Sequence, residues 1–406
     1  MNVCVFAGNF PTRSETFVMS HVTGLIDRGM EVTVLANKGD PLAWSSLEDY
    51  QSNLKNMVFH YRFPISKKER IIGAGAKFLL ALAKGDTKIF STLNYRRYGH
   101  DAINLRLLYA YTVAKTMPKI GVLHCHFGPM GTLGAHLKRS GLVEKLVVTF
   151  HGYDLSRALV DGLSNPYEAV FEEADLILPI SDRWHRVLTK LGAPTDRMLV
   201  HRVGIDVSKF VYKIRNGSQN KLRIVTTARF TEKKGIRYAI EAFAKAKAKK
   251  PNLKLQYDII GEGDLFDEIK DLIAFLGLTG SITLHGAKSH SEVRTLLDES
   301  DVFMLPSVTA SDGDQEGIPV ALMEAMAAGM PVITTRHSGI PELVEDEVSG
   351  YLSPEKDSDK LAESILKLAE NPGCWAKLGA AGRVKVENEF NLEVQNNKLV
   401  DLYHAI

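Results

Sequence analysis

Two glutamates lie in an otherwise apolar stretch of the sequence, EGIPVALMEAMAAGMPVITT, which begins at Glu316 and contains Glu324. The apolar pattern predicts a buried helix followed by a buried strand. A carboxylate that is buried without a partner destabilises a protein, so each acid is expected to bind something. Their positions therefore indicate a site that supplies a partner for each carboxylate.

The start of the predicted helix is suited to binding a phosphate. Pro319 fits the first helical position, which leaves the amides of Val320 and Ala321 without intrahelical acceptors. These amides and the positive end of the helix dipole attract anions. A carboxylate on either side can accept hydrogen bonds from the vicinal hydroxyls of a sugar ring. The pattern predicts a ligand with a diphosphate between two hydroxyl-rich rings, such as a nucleotide sugar.

A second stretch, ARFTEKKG, supplies cations at a comparable place. Arg229 and Lys234 follow the first predicted strand of the second half of the chain, and Gly235 comes next. Two cations in a strand-to-helix loop can neutralise a diphosphate, above all when it becomes a leaving group. Alone, each pattern is weak, because an isolated pair of glutamates at this spacing is more often a helix cap and a surface residue. Their coincidence favours the nucleotide-sugar site.

Short apolar strands alternate with helical patterns, which predicts an α/β protein with two doubly wound domains that face a central cleft. In the first half the predicted strands are NVCVFAG, EVTVLA, VFHY, GVLHCHF, KLVVTF, DLILPIS and MLVHRV. In the second half they are LRIVTTA, LQYDIIG, SITLHG, DVFMLPS and PVITT. The predicted domains are residues 1–205 and 206–385, with a C-terminal helix, 386–406, that packs back on the first domain. Ser14 is expected to cap the first helix, which runs to about Arg28.

The composition is that of a soluble globular protein, with 45% hydrophobic and 24% charged residues among 406. The three cysteines are scattered without metal-type spacing, which is typical of a reducing compartment. The N-terminal MNVCVFAGNF predicts a first strand and not a signal peptide. The best apolar run, IIGAGAKFLLALA, is shorter than the ~20 residues that span a bilayer. We therefore expect a cytoplasmic protein.

The segment 60–119 is strongly basic. It contains twelve Lys or Arg against three Asp or Glu, in a chain whose formal net charge is only +2. Tyrosines and aliphatic residues are interspersed with these charges, as in NYRRYGHDAINLRLLYAY. This mixture predicts contact with anionic lipid headgroups. The alternative is a pair of solvated amphipathic helices, and nucleic acid is disfavoured because no binding motif accompanies the charge.

Taken together, the motifs resemble those of a known family. TTARFTEKKG and SDGDQEGIPVALMEAMAAGMPV are similar to the retaining GT-B glycosyltransferases of family 4, whose hallmark is the E-x7-E pair. GNFPTRSETFV, HCHFG, FHGYD and HSGIPELV bring the resemblance close to the bacterial exopolysaccharide enzymes of the colanic-acid and amylovoran type. The resemblance covers nearly the whole chain and implies the GT-B fold.

The resemblance also assigns roles on the donor side. It implies that Glu316 contacts the donor sugar and Glu324 the ribose, while Arg229 and Lys234 neutralise the diphosphate. His151 is implied to reach the donor sugar across the cleft, and the alternative is a core-edge histidine bonded to backbone. Further backbone groups are implied to complete the donor site, namely those of Gly317, Ile318, Val320 and Ala321 at the diphosphate and those of Gly286 and Ala287 at the base.

The acceptor side is implied to lie in the first half. Many family members have a glycine pair in the first loop, where this chain has PTRSET (11–16). Because SETF is usual in the exopolysaccharide branch, three residues are expected to line the acceptor or diphosphate side: Ser14, Glu15 and Thr16. His124 and His126 share one strand face, and a structural or acceptor-side role is expected for them.

The pair Asp312 and Asp314 suggests a metal site, since a D-x-D pair holds a divalent metal in the other large glycosyltransferase fold. That fold has one nucleotide-binding domain, whereas this chain predicts two. In addition, Arg229 and Lys234 supply the charge that a metal would bring. We expect no metal and no other cofactor, and we expect the two aspartates to shape the loop beside Glu316.

The resemblance implies a retaining, metal-independent hexosyltransferase that moves galactose or glucose from a UDP-sugar to a lipid-diphosphate-linked oligosaccharide. It would act at the inner face of the cytoplasmic membrane, in the biosynthesis of an exopolysaccharide, capsule or other surface polysaccharide. No carboxylate pair offers the nucleophile and general acid of a glycosidase. Two alternatives stay open: a GT-B-like epimerase or phosphorylase, and a non-catalytic partner that binds sugar nucleotides. A dehydrogenase is disfavoured because no G-x-G-x-x-G follows the first strand.

Overall fold

A computed structural model of the protein describes residues 1–12, 15–160, 165–217 and 221–406. These residues form two six-stranded sheets. The first contains β1 (Asn2–Asn9), β2 (Glu31–Lys38), β3 (Val58–His60), β4 (Ile120–His126), β5 (Val143–Phe150) and β6 (Leu176–Pro179). The second contains β7 (Lys221–Thr227), β8 (Lys254–Ile260), β9 (Ile282–Leu284), β10 (Val302–Leu305), β11 (Val332–Thr335) and β12 (Gly350–Ser353).

Both sheets are doubly wound. Their strand orders are β3-β2-β1-β4-β5-β6 and β12-β11-β10-β7-β8-β9, and all neighbouring strands are parallel. In each sheet the first strand of the chain lies near the centre, and later strands are added outward on both sides. The predicted fold class, two doubly wound α/β units, is confirmed.

One strand prediction was wrong, and one strand was missed. MLVHRV is not a strand, because only Met198 forms a bridge, to Ile177, and the amides of Leu199 and His201 then bond to carbonyls of β6 without a full ladder. The edge strand β12, GYLS, was not predicted. It has four residues and begins with glycine, so its hydrophobic signal is weak.

Helices cover the sheets. In the first half they are α1 (Thr16–Ile26), α2 (Gln51–Leu54), α3 (Lys67–Ala83), α4 (Tyr95–Ile103), α5 (Arg106–Ala114), α6 (Gly128–Arg139), α7 (Tyr153–Val160), α8 (Glu168–Glu173) and α9 (Asp182–Lys190). In the second half they are α10 (Ile236–Lys249), α11 (Phe266–Phe275), α12 (His290–Glu299), α13 (Val320–Ala327), α14 (Ile340–Leu343), α15 (Ser358–Glu370), α16 (Trp375–Glu389) and α17 (Leu392–Ala405). Among the described residues, none of these helices is both long and apolar enough to cross a membrane.

Both faces of each sheet are buried. On β1, Val5 packs in one core cluster and Phe6 in the cluster on the other face. On β7, Ile224 and Val225 are divided in the same way. Strands that are buried on both faces are mostly apolar. Polar side chains that can do chemistry are therefore concentrated where the strands end.

The chain crosses between the two halves twice, at 203–206 and at 390–392. Ile205 connects the crossings, since its amide donates to the Phe390 carbonyl and its carbonyl accepts from the Leu392 amide, both at 2.8 Å. A side chain at Gly204 would lie 2.7 Å from Leu392 Cα, so the two segments pack without space for one. After the second crossing, α17 packs on α1 and its Tyr403 joins the core of the first half.

Candidate active site

The site lies where β7 and β10 end. These two strands are neighbours near the centre of the second sheet. The helices that follow them lie on opposite faces, because α10 packs in one core cluster and α13 in the other. This is the switch point at which doubly wound sheets bind ligands.

The loops after β7 and β10 are held together by three successive side chains of the loop after β7. Their pairs are Glu232 with Ser311, Lys233 with Asp314, and Lys234 with Glu316. The backbone adds a fourth link, from the Val308 amide to the Lys233 carbonyl at 2.9 Å. The two loops therefore form one unit.

Gly235 allows this close approach. It has a left-handed φ of 64°, and a side chain there would lie 1.9 Å from the Pro306 carbonyl oxygen. Glycine alone combines that conformation with that contact. It ends the short 3-10 turn that carries Lys234 and begins α10.

Lys234 and Glu316 form a buried ion pair. Lys234 Nζ lies 2.8 Å from Glu316 Oε1, and Glu316 is 7% exposed. Burial by itself would raise the pKa of the Glu316 carboxyl, but the charges of Lys234 and Lys233 outweigh it and lower the pKa below its usual value. Glu316 is thus an anion at neutral pH, held beside a cation.

A histidine that was not predicted to act in the site fixes the backbone of Glu316. The Glu316 amide donates to His337 Nε2 at 3.0 Å, so the ring proton of His337 is on Nδ1, which donates to Glu355 at 2.6 Å. Burial lowers the pKa of His337, consistent with a neutral ring. Ser338 Oγ donates to the Glu316 carbonyl at 2.6 Å. The strand-end position of His337, directly after β11, was the available signal.

The start of α13 is open as predicted, with one correction. The helix begins at Val320 and Pro319 is its cap, so proline lies one position earlier than expected. The Pro319 carbonyl already accepts from Leu322 and Met323, and the amides of Val320 and Ala321 precede any intrahelical acceptor. These two amides can bind an anion.

Glu324 is the fifth of the eight residues of α13 and is half-buried. Its carboxylate makes no hydrogen bond or ion pair within the described residues. Burial raises the pKa of Glu324 to about 7. A partly buried carboxylate without a hydrogen-bond partner is stabilised by a ligand that donates hydrogen bonds to it.

Of the remaining residues predicted on the donor side, Arg229 is available to a ligand, whereas Gly286 and Ala287 make hydrogen bonds within the protein. The Arg229 side chain is exposed and pairs with nothing in the described part of the chain, so it can turn to a ligand. In the loop after β9, the Gly286 carbonyl accepts from the Gly261 amide and the Ala287 amide donates to Glu262. Two of the backbone groups expected to meet the base are thus used within the protein.

The two halves touch beside the site. A side chain at Gly317 would lie 2.8 Å from the His151 carbonyl oxygen, and the amides of Asp182 and Arg183 in the first half donate to Glu342 in the second at 2.9 Å. His151 follows β5 and therefore lies across the cleft from Gly317. Phe17 packs on its ring, with centroids 4.5 Å apart.

His126 does not face an acceptor. It is 4% exposed, and its Nδ1 and Nε2 bind His151 and His21 at 2.9 and 2.8 Å. No ring nitrogen is left for a ligand, so the structural alternative is favoured. His124 is likewise buried, between Tyr403 and Thr149.

The loop after β1 borders a large cavity. Glu15 caps α1 and lines a cavity of about 940 Å³ together with Arg97 and Arg106. Burial raises the pKa of Glu15, and its Oε2 has no hydrogen-bond partner among the described residues. Thr16 is exposed at the start of α1, one residue after Glu15. Because the N-cap residue of α1 is Glu15, the prediction that Ser14 caps this helix was wrong. Ser14 lies outside the described residues, so its acceptor role stays a prediction.

Asp312 and Asp314 are part of the loop. Asp312 Oδ1 accepts from the Asp314 amide at 3.0 Å, and Asp314 Oδ2 lies 2.9 Å from Lys233 Nζ. Both aspartates thus make contacts within the loops beside Glu316.

Two doubly wound sheets that face each other, with an anion-binding helix start and paired glutamates at the second switch point, define a GT-B glycosyltransferase. Two family models match the chain, Glycosyltransferase Family 4 over residues 14–209 and Glycosyl transferases group 1 over residues 210–385. WcaL of Escherichia coli K12, named as a glycosyltransferase of colanic acid biosynthesis, is 37% identical over 418 aligned residues that cover all of both chains. The amylovoran biosynthesis glycosyltransferase AmsK of Erwinia amylovora is 38% identical over 413, again covering both chains. The chain therefore belongs to the family 4 glycosyltransferases.

The fold is shared with solved structures. The crystal structure of Anabaena Alr3699/HepE in complex with UDP and glucose aligns with a TM-score of 0.72 at 16% identity, over the full length of both chains. The predicted resemblance and the GT-B fold are both confirmed.

Proposed function

We propose that the protein is a retaining, metal-independent hexosyltransferase that transfers galactose or glucose from a UDP-sugar to a lipid-diphosphate-linked oligosaccharide. The observation that carries the proposal is a pair of glutamates at the open start of α13. Glu316 is held by Lys234, and Glu324, the fifth residue of the helix, has no partner among the described residues. The relatives named above act in colanic acid and amylovoran biosynthesis. That similarity supports an exopolysaccharide as the product.

The donor is placed with its hexose at Glu316 and its ribose at Glu324. Glu316 accepts from the hexose hydroxyls and Glu324 from the ribose hydroxyls, while the amides of Val320 and Ala321 bind the diphosphate between them. Lysine has three N–H donors, so Lys234 can keep its contact with Glu316 and still bind a phosphate oxygen. A UDP-sugar would thereby supply the hydrogen-bond donors that Glu324 lacks in the protein.

Transfer then needs positioning and charge, not a protein nucleophile. The bond from the anomeric carbon to the UDP oxygen breaks while the bond to the acceptor hydroxyl forms on the same face. The acceptor proton passes to the departing phosphate. Lys234 and Arg229 stabilise the charge that develops on UDP, and domain closure holds the two substrates in line.

The acceptor would bind in the first half. A cavity of about 760 Å³ is lined by Lys67, Arg70 and Ile71 of α3 and by Arg106 of α5. These cations suit a diphosphate, and the cavity adjoins the apolar face of α3. A lipid-linked acceptor can place its diphosphate in the cavity and leave its hydrocarbon outside.

The same helix supports a peripheral position at the inner membrane. On α3, Ile71, Ile72, Leu79 and Leu80 are each more than half exposed. Their spacing places them on one side of the helix, and the helix also carries Lys67, Lys68, Arg70 and Lys77 of segment 60–119. An apolar face edged with cations is the pattern of helices that lie in the headgroup region.

The test is acceptor-dependent release of UDP. Nucleotide sugars are first screened by thermal shift, and a stabilised melt with one UDP-hexose but with no GDP-sugar identifies the donor class. A membrane extract with lipid-diphosphate oligosaccharides is then added. UDP release that depends on acceptor supports transfer. Interconversion of the UDP-sugar without acceptor would indicate an epimerase, release of a sugar phosphate with added phosphate would indicate a phosphorylase, and binding without turnover would indicate a non-catalytic partner.

A further inference from the structure

A chain of hydrogen bonds runs from the cleft into the core of the first half, and the proposed reaction makes no use of most of it. The histidine chain is defined by these links in order: His151 Nε2 to His126 Nδ1 at 2.9 Å, His126 Nε2 to His21 Nδ1 at 2.8 Å, His21 Nε2 to the Tyr403 hydroxyl at 3.0 Å, the same hydroxyl to His124 Nδ1, and His124 Nε2 to Thr149 Oγ1 at 2.7 Å.

Four elements contribute to the histidine chain. His21 lies on α1. His124 and His126 lie on β4, and Thr149 lies on β5. Tyr403 comes from α17, which follows the second crossing of the chain. All members except His151 are 6% exposed or less. His151, at the cleft, is therefore the end of the chain that a ligand can reach.

The imidazoles of the chain are neutral. Burial lowers the pKa of all four histidines, and their mutual repulsion lowers it further. A neutral imidazole has one N–H, so a ring that donates from one nitrogen accepts at the other. The direction of any one hydrogen bond in the chain thus sets the direction of all the others.

Thr149 decides that direction. If His124 donated to Thr149, the buried threonine hydroxyl would need another acceptor, and the described residues offer it none. If Thr149 donates to His124, every buried proton of the chain has an acceptor. Following that direction outward, Tyr403 donates to His21, and His126 donates from Nδ1 to His151 Nε2. The remaining proton of His151 is then on Nδ1.

We propose that the histidine chain holds His151 in the tautomer with its proton on Nδ1, so that His151 donates a hydrogen bond to a hydroxyl oxygen of the donor sugar. The five inner members are positioning residues, because among the described residues their side-chain hydrogen bonds reach only one another and His151. Only the identity of the ligand rests on the proposed function. The tautomer itself is a property of the free protein.

The same residues could be read as a metal site, since ring nitrogens of His21, His124 and His126 lie within 4.8 Å of one another. In the structure, however, both nitrogens of each ring already have a hydrogen-bond partner. A metal would replace several of these bonds, whereas the proton arrangement satisfies all of them. The complete set of partners favours the hydrogen-bonded chain.

The tautomer is measured by two-bond 1H–15N correlation spectra of the histidine rings at pH 7.5, with the His151 signals assigned from a His151→Gln variant. The expected result is a neutral His151 with its proton on Nδ1. Tyr403→Phe interrupts the chain without changing its volume much, and Thr149→Val removes the hydroxyl that sets its direction. Both are expected to produce mixed tautomers at His151, while Thr149→Ser keeps the wild-type spectrum.

Activity provides the second readout. Tyr403→Phe and Thr149→Val are expected to lower turnover of the UDP-sugar about tenfold, the effect of one hydrogen bond. Affinity for UDP, which lacks the donor hexose, should stay within twofold, and Thr149→Ser should keep wild-type turnover. The control is Tyr257→Phe, which removes another buried tyrosine hydroxyl, one that bonds Thr226 in the second half. It should leave the His151 spectrum and turnover unchanged.

Three results would overturn the inference: a His151 proton on Nε2 in the wild type, an unchanged His151 spectrum in Tyr403→Phe, or stoichiometric zinc with metal-shifted ring nitrogens in the purified protein. Failure of the proposed function looks different. A wild-type protein that binds no nucleotide sugar refutes the function, and the spectra still decide the tautomer.

Discussion

Lys234 Nζ and Glu316 Oε1 lie 2.8 Å apart, although the two residues belong to loops that follow different strands. Their side chains are only 15% and 9% exposed. The pair therefore keeps the Glu316 carboxylate charged and also fixes the spacing of the loops after β7 and β10. The first acid of the E-x7-E pair holds a lysine in the protein, and the second, Glu324, holds no protein partner within the described residues.

Breaking this pair should impair both stability and turnover. Lys234→Ala leaves a buried carboxylate without its nearest cation, a change that typically costs ~3–5 kcal/mol. Glu316→Gln should lower turnover by ~100-fold or more because the proposed donor hexose loses an anionic acceptor, while the fold survives. The double variant should recover most of the stability and none of the activity. Urea unfolding and UDP release measure these effects.

Lys250→Ala is the matched control for that experiment. Lys250 pairs with Glu370 at 2.7 Å on the surface, where both side chains are about half exposed. Such a pair contributes at most ~1 kcal/mol. Wild-type turnover in Glu316→Gln, or equal losses of stability in Lys234→Ala and Lys250→Ala, would contradict the role assigned to the buried pair.

Donor binding should depend on the ionisation of Glu324, whose pKa is raised to about 7 by burial. Only the carboxylate accepts two ribose hydroxyls, so UDP affinity should be several-fold higher at pH 8 than at pH 6. Glu324→Gln should bind UDP more weakly and lose this dependence. Isothermal titration at the two pH values tests it, and an equal pH dependence in the variant would assign the effect to another group.

The same group should affect stability in the opposite sense. Because the folded pKa of Glu324 lies above the unfolded value, the folded protein binds the extra proton, and stability decreases as pH rises from ~4.5 to ~7. Glu324→Gln removes this penalty and should be more stable than wild type by ~1–3 kcal/mol at pH 8. At pH 5 the difference should nearly vanish. Chemical denaturation at both pH values measures it.

His337 should matter although no ligand is assigned to it. His337→Leu leaves the Glu316 amide and the Glu355 carboxylate without their shared partner, which should cost ~2–3 kcal/mol. Turnover should decrease at least tenfold because Glu316 is no longer held in place. Arg336→Ala changes the adjacent, half-exposed residue, which pairs with Asp346. That control should shift stability by less than ~1 kcal/mol; if the two variants behave alike, His337 has no special role.

Membrane contact should depend on the apolar face of α3. Ile72→Asp with Leu79→Asp places charges on that face and should abolish flotation with vesicles that contain anionic lipid. Phe275→Asp is the control, since Phe275 is 86% exposed at the end of α11 and does not belong to the basic segment. Flotation that survives the α3 changes, or is lost equally in the control, would refute the assignment.

Removal of divalent metal should leave activity intact. Lys233 Nζ lies 2.9 Å from Asp314, so the D-x-D pair already has a cation within the protein. Turnover after dialysis against a chelator should stay within twofold of the untreated enzyme. A loss that added Mg²⁺ or Mn²⁺ restores would show that a metal takes part.

The sequence determined the fold class and the kind of site. Alternation of apolar strands with helical patterns depends on local residue types, so both doubly wound sheets could be predicted, apart from short or edge segments such as β12. The E-x7-E pair and the cations of ARFTEKKG are local patterns as well. Their position after strands was enough to expect an anion-binding site at the carboxyl ends of a parallel sheet.

Which side chains meet depends on the three-dimensional fold. Lys234, Glu316 and His337 follow three different strands, and their contacts depend on the distances between the ends of those strands. The spacing of residues along the chain does not give these distances. The histidine chain is a stronger case, because Tyr403 reaches His21 and His124 only after α17 has crossed back to the first half. A hydrogen bond requires two groups to lie about 3 Å apart in space. The sequence shows only which residues are neighbours along the chain, so contacts between distant segments are known only from the folded structure.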